Sequence, residues 1–134
     1  MHEAMPMSIR VIHPSDFVRA TPEGHADLAA AERLLSSIAE EARDIEDFNV
    51  LIDLRTLSGG LLTASELWCL AERFAQHSHI GRRKTAILSP SDRFDNARFF
   101  ALCAAVRGEH ANVQPFRSYE DAMEWLLGSP SSAG

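Results

Sequence analysis

The sequence predicts an α/β fold with about four helices and a mixed, mostly parallel sheet of four or five strands, and three observations carry that prediction. Short β-favouring runs alternate with helix-period segments three times, the two opening runs are separated only by a short joint at Pro14-Ser15, and the links elsewhere are brief. Alternation with short links calls for right-handed crossovers between parallel strands, whereas a tight joint pairs its strands antiparallel. The opening hairpin therefore supplies one antiparallel strand to an otherwise parallel sheet.

Each element has its own signal. "MSIRVIH" at 7–13 and "DFVRA" at 16–20 cluster β-favouring residues around the Pro-Ser joint. From Leu28, apolar residues recur at Ala31, Leu34, Leu35, Ile38, Ala39 and Ala42, the three-and-four spacing of one helix face, and predict a helix near 25–44. "NVLIDL" at 49–54 is nearly continuous in apolar character, as a central strand covered on both faces should be. The next helix, near 63–78, has a written beginning: Thr63 and Glu66 form a capping box, Leu62 and Leu67 a hydrophobic staple, and Leu67, Leu70, Ala71 and Phe74 its inward stripe, with a stop near Gly81. "KTAIL" at 84–88 is a strand and "SPSDRF" a turn; Asn96, Phe99, Phe100, Cys103 and Val106 mark a third helix over 94–107 that ends at Gly108. "NVQPF" at 112–116 is a strand that Pro115 confines to an edge or a strand end, and Ser118 with Asp121 opens a last helix over 118–127.

Composition bounds the function. A chain of 134 residues fits one domain, taken as 7–127 between a flexible start at 1–6 and a disordered tail at 128–134. No run approaches the roughly 18 apolar residues that span a bilayer, so no transmembrane segment is expected. The start lacks the basic and apolar regions of a secretory signal, and Cys69 and Cys103 have neither metal nor redox spacing; both point to the cytoplasm. A formal charge of −6, with five acids in "EEARDIED", argues against nucleic acid as a partner.

"VLIDLR", "RKTAIL", "ARFFALCAAVRG" and "PFRSYEDAMEWL", in that order and spacing, resemble the SpoIIAA-like branch of the STAS superfamily over about residues 8–127. The resemblance implies a small non-enzymatic domain without a cofactor that binds a protein, a nucleotide or an apolar ligand. Phosphorylatable antagonists of that superfamily carry an Asp-Ser-Ser-Gly-Leu-like segment after the central strand. Here that position falls on Leu61 and Leu62, which have no hydroxyl, and sliding the alignment to Ser58 puts Leu57 where the acid belongs. Phosphorylation of Ser58 is considered and not favoured.

Candidate binding residues follow from the strand ends, where parallel α/β sheets hold ligands. Ser58-Gly59-Gly60 ahead of a helix is either an anion cradle or a turn with a cap, and without the lysine and hydroxyl of a full phosphate loop the turn is preferred. Asp53 and Arg55 close the central strand, and Arg55, Arg93 and Arg117 either face one anion or each balances a nearby acid or helix end, the second being preferred. Trp68 sits at the margin of its helix stripe, with core packing preferred over anchoring a partner, and Trp125 shares the ambiguity. His77 and His79 precede a strand, so topology sends them away from Asp53 and Ser58, leaving no catalytic triad and no metal set. Arg82, Arg83 and Lys84 are assigned to the negative end of the second helix.

The leading expectation is an interaction module that docks a protein partner, or a second copy, through the edge formed by 55–62 and 89–94, including Leu61 and Phe94. The alternative is an apolar or lipid-like small molecule held between helix and sheet by Leu61, Trp68, Phe94, Phe99 and Phe100.

Overall fold

In the computed structural model, the described residues are 7–12, 17–45, 48–77, 80, 84–107 and 112–127. The expected flexible start and disordered tail lie outside them. In chain order the elements are β1 (Met7–Ile12), β2 (Phe17–Pro22), β3 (Gly24–His25), α1 (Leu28–Glu41), β4 (Asn49–Asp53), β5 (Leu57–Ser58), α2 (Ala64–Gln76), β6 (Thr85–Leu88), α3 (Phe94–Arg107), β7 (Val113–Phe116) and α4 (Tyr119–Leu127).

The five-stranded sheet runs β1-β2-β4-β6-β7. β1 and β2 are antiparallel, and every later pairing is parallel, with Val50 opposite Thr85 and Asp53 opposite Leu88. This is the hairpin-plus-crossover arrangement that the alternating pattern predicts. Pro115 lies in the edge strand β7, where a missing N–H is tolerated.

Strand alternation sorts the core. Val50, Ile52 and Ile87 point to the face covered by α1, α2 and α3, and join Leu35, Ile38, Leu67, Phe74 and Phe100 in the main cluster. Leu51, Ala86 and Leu88 point the other way and pack on Ala122 and Leu126 of α4. All five residues of β4 are buried, which is why its sequence reads as an apolar run through Ile52.

Two expected helix boundaries and one helix face need correction. α1 begins at Leu28 and not near residue 25, because Gly24 and His25 form β3, which pairs parallel with β5 in a second, two-stranded sheet, and Asp27 caps the helix by accepting from the Ala30 N–H at 2.8 Å. α2 ends at Gln76, short of Gly81, with the His77 N–H returning to the Arg73 and Phe74 carbonyls. "SPSDRF" is a 3₁₀ turn over Ser91–Arg93 that runs directly into α3. Within α3 the buried stripe is Ala97, Phe100, Ala101, Cys103 and Ala104, whereas Phe99 and Val106, part of the apolar period that marks the helix, are exposed. The helix has apolar residues nearly all round, and its phase was ambiguous for that reason.

The capping box of α2 is complete: the Thr63 Oγ1 accepts from the Glu66 N–H at 3.1 Å, and the Glu66 Oε1 accepts from the Thr63 N–H at 2.9 Å. Lys84 serves α4 and not α2, donating from Nζ to the Trp125 carbonyl at 2.7 Å with its charge over the Trp125 ring. Arg82 and Arg83 fall outside the described residues.

Candidate functional site

At the carboxyl end of β4 the strand must turn away from the sheet while still carrying a buried acid. Asp53 is 3% exposed and points to the α4 side, in phase with Leu51. Its Oδ1 accepts from the Arg55 backbone N–H at 3.1 Å and Arg55 Nε at 3.0 Å; its Oδ2 accepts from Arg55 Nη2 at 2.8 Å and Arg19 Nη2 at 3.2 Å. Burial pushes the Asp53 carboxyl up, but the Arg55 hydrogen bonds and charge, with Arg19 behind them, outweigh it and hold the group below the usual aspartate value. Both guanidiniums also approach the Tyr119 ring at the start of α4, at 5.7 Å for Arg19 and 5.5 Å for Arg55.

The loop that follows is a fastened strap. Ser58, expected in a turn, is in strand β5 opposite His25, with its hydroxyl donating to the Gly24 carbonyl at 3.0 Å and its own carbonyl accepting from the Ala26 N–H at 2.9 Å. Thr56 donates to the Pro22 carbonyl at 3.1 Å. Gly59 has φ of +91°, and a Cβ there would lie 2.3 Å from the His25 ring; Gly60 has no positive φ and nothing within 4 Å of an added Cβ. Arg93 is buried beneath this strap and donates to the Gly59 and Gly60 carbonyls at 2.5 and 3.1 Å. Asn96 fixes Leu62 both ways, donating to its carbonyl and accepting from its N–H.

The three arginines considered together in the sequence are therefore dispersed. Arg55 is paired with Asp53, Arg93 holds the loop carbonyls, and Arg117 lies over the Phe94 ring at 3.8 Å. The residue that joins Arg55 on Asp53 is Arg19, 34 positions from Asp53 on the neighbouring strand, and no local motif announces it.

A second region lies along α2 and α3. Leu61, Trp68, Phe99, Leu102 and Val106 are all exposed, Val106 at 74% and Leu102 at 60%. Trp68 is not packed in the core; it is 40% exposed with the Arg107 guanidinium 4.7 Å above its ring, while Arg107 also pairs with Glu72 at 3.2 Å. That contact and the Asn96–Leu62 bonds tie α3 alongside α2 at two levels. At 100° per residue Phe99, Leu102 and Val106 share the solvent side of α3, opposite its buried stripe. Leu102 was missed because periodicity was read for the inward face alone.

Beneath the strap, between the sheet and α1, α2 and α3, is a cavity of about 110 Å³. It is lined by apolar side chains such as Leu34, Leu67, Leu70 and Ile87, with Asp27, Arg93 and Asn96 at its polar margin. Of the residues nominated for an apolar ligand, Phe100 lines it, whereas Leu61, Trp68, Phe94 and Phe99 do not. Among the described residues no three His, Cys, Asp or Glu side chains gather around a possible metal position.

The SpoIIAA-like family profile matches residues 17–127, and the chain belongs to that family. None of the curated proteins matches the chain. The crystal structure of an uncharacterised protein from Shewanella loihica PV-4 with a SpoIIAA-like fold is similar at a TM-score of 0.60 and 17% identity, covering 94% of this chain and 98% of that one. At that identity the likeness extends to the fold. No described helix is long and apolar enough to cross a membrane.

Proposed function

We propose that this SpoIIAA-like chain is a non-enzymatic, cytoplasmic regulatory module that docks a protein partner through the outer face of α2 and α3. One observation carries the reading: of the seven large apolar or aromatic residues exposed among the described residues, five are Leu61, Trp68, Phe99, Leu102 and Val106 on this one face. Scattered apolar residues on a surface need no explanation, but a contiguous set bordered by charged side chains does. The same two helices carry the ion pairs Glu72–Arg107 and Asp95–Arg98. The face adjoins Leu61 at the end of the 55–62 loop, so it moves the expected docking edge outward onto the helices. The sequence places Trp68 and Leu61 in it as candidates; Asp53, Arg55, Arg93, Phe94 and Arg117 lie outside it.

The test is affinity capture from the source cells with wild type and Leu102→Asp, alongside light scattering of each purified protein. Residue 102 is 60% exposed, so the substitution should leave the fold intact. Loss of a stoichiometric partner, or of self-association, with Leu102→Asp is the expected result. Equal capture and equal mass for both proteins would overturn the reading.

The cavity favours a second reading, an apolar small molecule. At about 110 Å³ it is well below the roughly 300–1,000 Å³ of pockets for drug-sized ligands, so the ligand would be small unless the strap opens.

A further inference from the structure

We propose that Arg19 and Arg55, against Tyr119, form a binding site for a small phosphate-bearing anion at the carboxyl edge of the sheet, on the face opposite the cavity. The starting point is a surplus of cation. Arg55 alone supplies Asp53 with three donors, from its backbone N–H, Nε and Nη2, which is enough to satisfy a buried carboxylate. Arg19 adds a second guanidinium to the same Oδ2, so two positive charges share one negative one.

Donor geometry then says where the surplus is available. Arg19 uses Nη2 on Asp53, while its Nε is buried with no hydrogen-bond partner. That leaves the Arg19 guanidinium short of acceptors, with Asp53 its one hydrogen-bonded acid among the described residues. The Arg19 side chain is 34% exposed and that of Arg55 48% exposed, and among the described residues neither Nη1 donates a hydrogen bond, whereas Nη2 of each is used on Asp53. Because both Nη2 atoms rest on one oxygen, the two forks lie within the span of a single oxyanion. The positive end of the α4 dipole is beside them, since the ring they approach belongs to the first residue of that helix. Glu120, whose charge also acts on Arg55, is exposed to solvent, with its Oε1 3.2 Å from the Ser118 hydroxyl.

Phosphate fits better than a second carboxylate. The flat carboxylate slot between the forks is already filled by Asp53, and what remains are outward N–H groups on two differently placed guanidiniums, which a tetrahedral anion with several free oxygens bridges. The site is separate from the α2–α3 face, and its test does not depend on that face.

The test is NMR titration of the ¹⁵N-labelled chain with inorganic phosphate at constant ionic strength, read on the arginine Nε–H signals. Saturable shifts at Arg19 and Arg55, with Arg117 and Arg98 unmoved, are expected. Arg19→Gln should weaken the apparent affinity at least tenfold while keeping the dispersion of the amide spectrum, because Asp53 retains Arg55; Arg19→Lys should lose less. Acetate at the same ionic strength should bind at least tenfold more weakly. Linear, non-saturating shifts, uniform shifts across all arginines, an undiminished Arg19→Gln, or acetate binding as tightly as phosphate would each overturn the proposal.

Discussion

The two faces of the sheet are covered to different depths. Among the described residues, α1, α2 and α3 share nineteen buried residues with one face and still leave a cavity; on the other, α4 and the sheet share five, three of them from the strands, and the sheet ends beside it at Arg19 and Asp53. A thickly covered face spreads its stabilisation over many contacts and tolerates imperfect packing. A thinly covered one depends on a few side chains, and where the helix stops it finishes in an ion cluster. The open polar edge is therefore on the thin side, and the apolar outer face lies on the thick side, one layer further from the sheet.

The largest effects test that contrast directly. Phe100 is buried and meets Phe74 edge to face at 5.8 Å, so Phe100→Ala should cost about 3–5 kcal/mol in denaturant unfolding. Leu126, 1% exposed, should cost about 2–5 kcal/mol as Ala, but with a different signature in hydrogen exchange: the amides of α4 should lose protection ahead of those of α1 to α3. Simultaneous loss across all four helices would show that the thin face is not an independent unit.

Next comes Asp53. Its folded carboxyl is held below the unfolded aspartate value of about 3.9, so its contribution is present above that pH and is lost as pH falls through the folded value. Asp53→Asn should cost about 1–3 kcal/mol at pH 7, by leaving charged donors unmatched, and the gap in Tm from wild type should close as pH is lowered below about 4. A gap constant from pH 7 to pH 3 would mean that the acid is not ionised by its arginines.

The strap yields a smaller and sharper pair. Gly59→Ala should destabilise by about 1–2 kcal/mol through its positive φ and the His25 ring, whereas Gly60→Ala and Ser58→Ala should each stay within about 0.5 kcal/mol in thermal unfolding. Equal costs at the two glycines would contradict the close approach. Smallest of all, native thiol labelling should modify exposed Cys69 and spare buried Cys103, whose thiol burial also pushes its pKa up; equal rates would place Cys103 at the surface.

What was legible in the sequence was what repeats locally. The apolar run of β4, the stripe Leu67-Leu70-Ala71-Phe74 and the Thr63–Glu66 cap are each set by neighbours within a few residues, and each stands in the structure as read. What was not legible depends on distant chain: β3 and β5 are two residues long and lack a hydrophobic period, and Arg19 reaches Asp53 from a neighbouring strand. Arg93 reads as balancing a nearby acid or helix end, because nothing local shows that it is buried and donates to two loop carbonyls. Gly59 and Gly60 are indistinguishable as letters; the ring of His25 separates them.

Pro115 has a consequence beyond its own strand. The Asn112 and Phe116 carbonyls accept from Thr85 and Ser89, so residues 112, 114 and 116 turn their backbone inward and Pro115 turns its own outward. The donor it lacks is one that a strand arriving from outside would need. Lateral growth of the five-stranded sheet is thus disfavoured at β7, and pairing of that sheet between molecules is left to β1, at its opposite edge. Such growth closes on itself at two copies, because the second molecule presents the same disfavoured margin on its far side, and an endless ribbon of these sheets stacked edge to edge is disfavoured with it.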